Sequence, residues 1–365
     1  MKVLISGGGT AGHINPAIAI GTYLAKQGAD VIYVGSHGAL EEKLYSKTGC
    51  PFYQFTSKGL DRKHLFKNFK ILSTDYQAYR QIQALVNEFQ PDVGVSTGGY
   101  ISAMSMYALK QKNIPFLIHE QNAYPGLTTK LLSRWAKSYA VAFREAVSYL
   151  KYPDRAVLTG NPIRSEFVLT DRSMARQKLG IPEDSKVVLC FGGSLGAKKL
   201  NEAVAGIIPM AQKDGITLFI GTGSRYYDSF IKENQSKVTD HNLVRIQKYI
   251  DDMPTALAAC DLAVTRAGAM TISELCAVLK PAILIPSPNV TANHQEKNAQ
   301  AMVNCGGAFK ISETELTSKN LYNSMKSLLS DEDRLLTMQT HLKPLSITDG
   351  DRRIAELVQQ IAHTK

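Results

Sequence analysis

Two glycine-rich loops, each directly after a short apolar run, lie about half a chain apart in the sequence. The first is Gly7-Gly-Gly-Thr-Ala-Gly12 and the second is Gly192-Gly-Ser-Leu-Gly-Ala197. A glycine loop between a strand and a helix lets backbone N–H groups approach a phosphate, and parallel sheets bind ligands at the carboxyl ends of their strands. The duplication predicts two doubly wound α/β units, with a cleft between them for a phosphate-bearing ligand.

Short apolar runs alternate with helical patterns along the whole chain, which is typical of parallel sheets covered by helices. The runs predict strands at 2–6, 30–35, 52–56, 92–97, 115–119, 138–143, 156–160, 187–191, 217–221, 243–247, 262–266, 282–286 and 308–311. Helical patterns lie near 16–27, 39–48, 74–89, 100–111, 126–136, 145–151 and 350–363. We assign one domain to 1–163 and a second to 164–341, and we expect the last segment, about 342–365, to pack back on the first domain.

Length and composition narrow the class of protein. The 365 residues exceed the usual limit of one hydrophobic core, and no apolar run approaches the length that spans a bilayer. The five cysteines are scattered, which predicts reduced thiols and neither a disulfide frame nor a zinc site. The formal net charge of +10 favours an anionic partner, such as a phosphorylated ligand, an acidic lipid surface or nucleic acid.

The first glycine loop fits the dinucleotide fingerprint G-x-G-x-x-G, so an NAD-dependent oxidoreductase is one alternative. That fingerprint requires an acidic residue at the end of the second strand. Here the second strand ends at Gly35-Ser36 and carries Asp30 at its start, which weakens the NAD interpretation. His13 stands where the loop meets the following helix, and it is either structural or functional.

The second glycine loop also fits G-x-S-x-G, the nucleophile elbow of serine hydrolases, with Ser194 as the nucleophile. Asp261 and His294 follow in the order that a hydrolase triad needs. We favour Ser194 as a diphosphate ligand, because a first-half sheet with its own glycine loop has no place in a simple hydrolase. A nucleotide-sugar-binding protein without catalytic activity is the non-enzyme alternative.

Polar residues also follow other predicted strands. His119 and Glu120 are expected to fix a loop, whereas Asn122 is expected to contact a ligand. Glu274 lies in the first turns of a helix, where a carboxylate either compensates the helix dipole or accepts two ribose hydroxyls. We predict no metal site, because His119-Glu120 lacks a second histidine and Asp349-Gly-Asp351 lies at a predicted helix start.

Residues 58–70 carry five lysines and arginines against one aspartate, interleaved with apolar side chains. A solvated loop is one interpretation, and a nucleic-acid patch is another. We predict no nucleic acid as a partner, because no recognition motif accompanies the segment. Alternating cations and apolar residues favour reversible, peripheral attachment to anionic lipid. The side chains predicted to contact the membrane are Lys63, Leu65, Phe66, Lys67, Phe69 and Lys70.

Taken in order, the motifs resemble those of the MurG family of bacterial glycosyltransferases over essentially the whole chain. The resemblance rests on Gly8–Ala17, Ser96–Tyr100, His119–Asn122, Gly160–Arg164, Gly192–Ala197, Tyr249–Met253, Arg266–Glu274 and Asn293–Gln295. The family implies a GT-B glycosyltransferase architecture, in which two Rossmann-like domains with parallel sheets face a deep cleft. It implies no cofactor and no metal.

The family also implies an activity and a location. N-acetylglucosamine passes from UDP-GlcNAc, with inversion, to undecaprenyl-pyrophosphoryl-MurNAc-pentapeptide (lipid I), which gives lipid II for peptidoglycan synthesis. The enzyme would lie at the cytoplasmic face of the cell membrane, on anionic inner-leaflet lipids. The sequence leaves open a related transferase that acts on another lipid acceptor, and it leaves open whether other cell-wall synthesis proteins are partners.

The resemblance further implies roles for individual residues. The implied substrate-binding residues are Thr10, Ala11, Gly12, Asn122, Arg164, Ser194, Ile250, Ala269, Met270, Thr271, Glu274 and Gln295. Arg164 and the Ile250 backbone would lie near uracil, and Glu274 would take the ribose hydroxyls. Ser194 and the 268–271 loop would hold the diphosphate.

On the acceptor side, the resemblance implies that Thr10–Gly12 line the cleft for the donor and the acceptor phosphate. His13 is then the candidate base, while Asn122 and Gln295 bind the hydroxyls of the transferred sugar. Two positions depart from the family pattern. Ala11 replaces a common glycine, and Glu296 replaces a second glutamine, so no sugar contact is assigned to Glu296.

Overall fold

In the residues that the computed structural model describes, 1–56, 68–290 and 293–363, two parallel sheets form, one of seven strands and one of six. The strands are β1 (Lys2–Gly7), β2 (Asp30–Ser36), β3 (Phe52–Phe55), β4 (Val93–Gly98), β5 (Phe116–Glu120), β6 (Ser138–Val141), β7 (Ala156–Leu158), β8 (Val187–Phe191), β9 (Thr217–Gly221), β10 (Val244–Gln247), β11 (Leu262–Thr265), β12 (Ala282–Leu284) and β13 (Ala308–Lys310). Each lies within two residues of its predicted bounds. The predicted fold class, two Rossmann-like units with parallel sheets, is confirmed.

Helices cover these sheets. They are α1 (Ala11–Lys26), α2 (Ala39–Tyr45), α3 (Asn68–Phe89), α4 (Tyr100–Gln111), α5 (Leu127–Leu132), α6 (Glu166–Leu169), α7 (Arg172–Leu179), α8 (Lys198–Lys213), α9 (Tyr227–Asn234), α10 (Met253–Ala259), α11 (Ala269–Ala277), α12 (His294–Asn304), α13 (Ser318–Leu329), α14 (Glu332–Leu342) and α15 (Gly350–Ala362). The segment predicted as a helix at 145–151 is instead a 3₁₀ helix, Arg144–Tyr149.

The chain divides into an N-terminal unit, Met1–Ile163 with Asp349–Lys365, and a C-terminal unit, Arg164–Thr348. Residues 342–348, which the sequence analysis grouped with the last helix, therefore lie in the C-terminal unit. Helix α15 packs on α1 and on strands β4 to β6 of the N-terminal sheet. It buries Ile354 and Val358 in that core.

Strand order places both glycine loops at equivalent points of their sheets. The N-terminal order is β3-β2-β1-β4-β5-β6-β7, and the C-terminal order is β10-β9-β8-β11-β12-β13. The order reverses next to β1 in the first sheet and next to β8 in the second. Loops at such a switch point diverge and leave a crevice at the carboxyl edge of the sheet. The fold thus presents the two glycine loops where ligands of doubly wound sheets bind.

Candidate functional site

The first glycine loop joins β1 to α1 at the carboxyl edge of the N-terminal sheet. Gly9 has φ +84°, a left-handed conformation that favours glycine. Thr10 is the N-cap residue of α1, and Thr10, Ala11 and Gly12 are all exposed. The first N–H groups of a helix have no partner within the helix, so this stretch can bind an anion.

One donor of this loop is already bound by the protein. The Gly9 N–H donates to Glu41 Oε1 at 2.8 Å, and Glu41 on α2 is only 5% exposed. The Gly9 N–H is therefore not available to a dinucleotide pyrophosphate, and β2 carries its acidic residue, Asp30, at the wrong end for a dinucleotide ribose. Both observations count against the NAD alternative.

His13 lies in the first turn of α1, half-buried, and contacts a cluster of buried polar groups. Its Nδ1 is 3.2 Å from Gln121 Oε1. Gln121 Nε2 in turn lies 3.0 Å from the Thr97 carbonyl oxygen and 3.0 Å from His119 Nδ1. Burial lowers the pKa of His119 to about 4, so this ring is neutral at physiological pH.

Glu120 holds the loop that presents Asn122. Its buried carboxylate accepts hydrogen bonds from Asn122 N at 3.0 Å, from Asn122 Nδ2 at 3.1 Å and from Gly126 N at 3.2 Å. Glu120 therefore fixes this loop, as expected from the sequence. Asn122 is half-buried after β5, at the same edge of the sheet as the first glycine loop.

The second glycine loop joins β8 to α8 and depends on close backbone contact. Gly196 has φ +81°, and a Cβ there would lie 2.1 Å from the Thr222 carbonyl oxygen after β9. Gly223 has φ +83°, and a Cβ there would lie 2.1 Å from the Gly196 nitrogen. This packing leaves Ser194 exposed, with its carbonyl oxygen accepting from Ser224 N at 3.0 Å.

The serine hydrolase alternative is contradicted by the position of Asp261. Asp261 precedes β11, four residues before Thr265 and therefore about 13 Å from the carboxyl edge where Ser194 lies. Its carboxylate accepts two hydrogen bonds from the fully buried Arg176, both at 2.9 Å, and one from Val187 N at 2.8 Å. Asp261 thus anchors the start of β8 and cannot orient a histidine beside Ser194.

The start of α11 combines backbone donors with a carboxylate. Ala269, Met270 and Thr271 form its first turn, and Glu274 follows on the same face of the helix. Burial of Glu274 raises its pKa from 4.5 to about 7, against the opposing attraction of Arg164. Within the described part of the chain, this carboxylate has no hydrogen-bond partner. Arg164 itself lies over the Phe167 ring, at 5.0 Å from the centroid.

Two other predicted residues lie at the same edge of the C-terminal sheet. The Ile250 side chain is buried against Gly221 at the end of β9. Gln295, near the start of α12, accepts a hydrogen bond from Ser287 N at 2.9 Å through its Oε1, which fixes its amide. Glu296 instead forms an ion pair with Lys310 of β13.

The predicted site residues therefore form two groups, one at the carboxyl edge of each sheet. In the N-terminal unit these are Thr10, Ala11, Gly12, His13 and Asn122, and in the C-terminal unit they are Arg164, Ser194, Ile250, Ala269, Met270, Thr271, Glu274 and Gln295. Glu41 and Gln121 were not predicted from the sequence as site residues. Gln121 could have been found from its spacing, because it stands two residues after His119 and an extended chain places both side chains on one side.

The structure describes only part of the segment predicted to contact the membrane, residues 58–70. Lys63, Leu65, Phe66 and Lys67 lie outside the described residues, and Phe69 and Lys70 belong to α3 with side chains that are not described. In the described ranges, no cluster of His, Cys, Asp and Glu could hold a metal ion. No helix in those ranges is long and apolar enough to cross a membrane.

Similarity to known proteins covers the full chain. Residues 3–141 match the glycosyltransferase family 28 N-terminal domain, and residues 187–357 match its C-terminal domain. The UDP-N-acetylglucosamine–N-acetylmuramyl-(pentapeptide) pyrophosphoryl-undecaprenol N-acetylglucosamine transferase of Acetivibrio thermocellus is 40% identical over 368 residues, which cover 100% of this chain and 99% of that protein. The enzyme of the same name from Halalkalibacterium halodurans is 37% identical, covering 99% of this chain and 100% of that protein. The crystal structure of Acinetobacter baumannii MurG matches with a TM-score of 0.79 and 25% identity, covering 98% of this chain and 99% of that one.

Proposed function

We propose, from the premise that the chain belongs to the MurG family of N-acetylglucosamine transferases, that it performs the reaction this family is named for. N-acetylglucosamine would pass from UDP-GlcNAc to the muramyl sugar of undecaprenyl-pyrophosphoryl-MurNAc-pentapeptide, with inversion at the anomeric carbon. The observation that carries the proposal is the half-buried carboxylate of Glu274 beside the start of α11. It can accept both hydroxyls of a ribose while the first turn of α11 receives the adjoining diphosphate.

The C-terminal unit is proposed to stabilise the departing UDP. Negative charge grows on the diphosphate as the bond to the anomeric carbon breaks, and preorganised donors lower the barrier to that step. The second glycine loop, with Ser194, and the first turn of α11 supply N–H groups and the positive end of a helix dipole. Because these groups stabilise the negative charge that develops on the diphosphate, we propose that transfer needs no metal ion.

The N-terminal unit is proposed to bind the acceptor and to remove its proton. The attacking hydroxyl loses its proton as it bonds to the anomeric carbon, which requires a base nearby. His13 is that base in this proposal. Since Glu41 occupies the Gly9 N–H, the acceptor diphosphate would bind at Thr10–Gly12, where the start of α1 is exposed.

An assay without metal tests the proposal. The protein is incubated in EDTA with UDP-GlcNAc and a short-chain lipid-linked muramyl-pentapeptide, and the disaccharide product is sought by mass spectrometry. We expect product with this acceptor and none when the muramyl hydroxyl is blocked. Activity that appears only with a different lipid acceptor would identify another GT-B transferase. If folded protein binds UDP but forms no product, the result would favour the alternative of a nucleotide-sugar-binding protein without catalytic activity.

Replacing Ser194 with alanine separates a phosphate ligand from a nucleophile. As a phosphate ligand, Ser194 contributes about one hydrogen bond, so Ser194→Ala should raise the KM for UDP-GlcNAc several-fold and reduce kcat only modestly. A nucleophile would react covalently with a fluorophosphonate and would lose nearly all activity when replaced. We expect no labelling of the wild-type protein, with an active-site serine hydrolase as the positive control.

Peripheral attachment to the cytoplasmic face of the membrane is proposed from sequence and from a described surface. A concavity of about 440 Å³ on the N-terminal unit is lined by Lys110, Arg134, Lys137 and Trp135, among other described residues that include no carboxylate. Trp135 is 38% exposed, and Lys110 Nζ lies 6.0 Å from the centroid of its ring. Cations around an exposed indole favour the interface of an anionic membrane.

Vesicle binding tests the membrane segment. Because Phe66 and Phe69 would insert while Lys63, Lys67 and Lys70 meet headgroups, binding should require anionic lipid and weaken with salt. Changing both phenylalanines to serine should release the protein from sedimented vesicles and leave activity on a soluble acceptor analogue unchanged. Equal binding to neutral and anionic vesicles would identify the segment as a solvated loop.

A further inference from the structure

The amide of Gln121 has only one orientation that its surroundings allow. Gln121 is 2% exposed at the end of β5. Its Nε2 lies 3.0 Å from the Thr97 carbonyl oxygen and 3.0 Å from the His119 carbonyl oxygen. A carbonyl oxygen can only accept a hydrogen bond, so the group that faces these two oxygens must be the amide NH₂. The usual ambiguity between amide oxygen and nitrogen is therefore removed by the backbone.

This orientation determines which nitrogen of His13 carries a proton. Gln121 Oε1 faces His13 Nδ1 at 3.2 Å, and an amide oxygen only accepts. His13 Nδ1 must therefore donate, and a neutral imidazole has only one N–H. We propose that Gln121 is a positioning residue that holds neutral His13 in the Nδ1–H tautomer and leaves Nε2 bare as the proton acceptor. The inference rests on the proposed function, because it assigns His13 as the base.

His119 completes a chain of hydrogen bonds that runs in one direction. His119 Nε2 lies 3.4 Å from the Gly160 carbonyl oxygen, which places the His119 proton on Nε2. One Gln121 N–H binds the Thr97 carbonyl oxygen, and the other is shared between the His119 carbonyl oxygen and His119 Nδ1, each 3.0 Å from Gln121 Nε2. Donors therefore point from His13 through Gln121 and His119 to Gly160. Because the His119 ring is fully buried and neutral, it adds no charge that would compete with protonation of His13.

The His13 ring is also confined by backbone. Gly98, with φ +107°, lies against the ring, and a Cβ at that position would be 2.7 Å from both Nδ1 and Cε1 of His13. The Thr97 hydroxyl donates to the His13 carbonyl oxygen at 2.8 Å, which fixes the first turn of α1. The last two residues of β4 thus confine the ring and its backbone, while Gln121 accepts the hydrogen bond from Nδ1–H.

In the transfer step, the acceptor oxygen forms a bond to the anomeric carbon, and its proton moves to His13 Nε2. The bond from the anomeric carbon to UDP breaks, and its electron pair leaves on the diphosphate. His13 then carries a positive charge, and its Nδ1–H still donates to Gln121 Oε1. An orienting partner that accepts from one ring nitrogen while the other takes the proton is the arrangement that makes histidine an efficient base.

Nitrogen NMR of histidine-labelled protein tests the tautomer without substrate. At a pH where His13 is neutral, we expect a protonated Nδ1 and a bare Nε2, with the signals assigned by their loss in His13→Asn. In Gln121→Met, which keeps chain length and removes the amide, the protonated Nδ1 signal of His13 should be lost. A bare Nδ1 in the wild-type protein would overturn the inference, even if the protein is an active transferase.

Kinetics provide the second readout. With the donor saturating, Gln121→Met should lower kcat by about 10- to 100-fold and leave the KM for UDP-GlcNAc unchanged, since the donor is held by the other unit. Gln121→Glu should recover most of the rate, because a buried, protonated glutamic acid can donate to the Thr97 carbonyl oxygen and still accept from His13. Gln83→Met, which removes an amide bound to Tyr79 on α3, is the matched control and should leave kcat unchanged. An unchanged kcat in Gln121→Met, or equal losses in its glutamate and methionine variants, would exclude a positioning role.

Discussion

Glu274→Ala is expected to abolish most of the affinity for UDP. The carboxylate would accept two charge-assisted hydrogen bonds from the ribose, each worth roughly 1.5–3 kcal/mol. Loss of both should raise the Kd by about 10² or more, since each 1.4 kcal/mol is a factor of about ten. Calorimetry with UDP measures the change, and circular dichroism checks the fold. Unchanged affinity in a folded variant would remove Glu274 from the donor site, and NAD binding in the same experiment would restore the oxidoreductase alternative.

The same carboxylate should make donor binding depend on pH. Only ionised Glu274 can accept from both hydroxyls, and burial raises its pKa to about 7. The affinity should therefore be constant above pH 8 and fall by up to about tenfold per pH unit below 7. UDP-GlcNAc is the ligand for this titration, because its diphosphate has no proton that titrates near neutral pH. Glu274→Ala should bind weakly and without this pH dependence.

Ionisation of Glu274 as pH rises should strengthen donor binding but lower the stability of the folded protein. Because the pKa of Glu274 is higher in the folded state than its ordinary 4.5, the folded chain binds a proton more tightly than the unfolded chain does. Stability from this group therefore falls as pH rises from about 4.5 to about 7. Glu274→Gln should raise the free energy of unfolding at pH 8 by about 2 kcal/mol, allowing for partial exposure, and have little effect at pH 4. An equal shift in Tm at both pH values would contradict this origin.

The sheets were predictable because buried parallel strands are continuous apolar runs bounded by turn residues. The residues at which helices begin were harder to predict. A helical pattern was expected near 16–27, yet helix α1 begins at Ala11 and contains Pro16. Pro16 is the sixth residue of α1 and has no N–H to donate to the Gly12 carbonyl oxygen, so the helix continues through it with one hydrogen bond fewer.

Long-range polar contacts were not predictable from local patterns. The contact of Gly9 with Glu41 joins loop and helix across 32 residues, and Arg176 meets Asp261 across 85. Asp261 therefore fitted a hydrolase triad by order along the chain, although the fold places it at the opposite edge of the sheet. Gln121 was overlooked for a related reason, since the role proposed for it depends on which carbonyl oxygens surround its amide.

His13→Ala is expected to cause the largest loss of turnover. Removing a general base that acts in the transition state should lower kcat by about 10²–10⁴-fold. UDP affinity should be unchanged, because the residues assigned to UDP belong to the C-terminal unit. The measurement is kcat with UDP-GlcNAc saturating at every pH, so that protonation of Glu274 does not affect the rate. The wild-type profile should then show an acidic limb that disappears in His13→Ala.

Two further results distinguish a base from a residue that only orients the acceptor. Added imidazole should restore part of the turnover of His13→Ala, because a small base can enter the space that the ring leaves, and it should not affect the wild-type rate. If His13 only orients the acceptor diphosphate, the variant would instead have a raised KM for the acceptor and would keep the acidic limb. Retention of that limb would require another base, and His119 cannot supply it, because burial has lowered its pKa to about 4 and both of its ring nitrogens are already hydrogen-bonded.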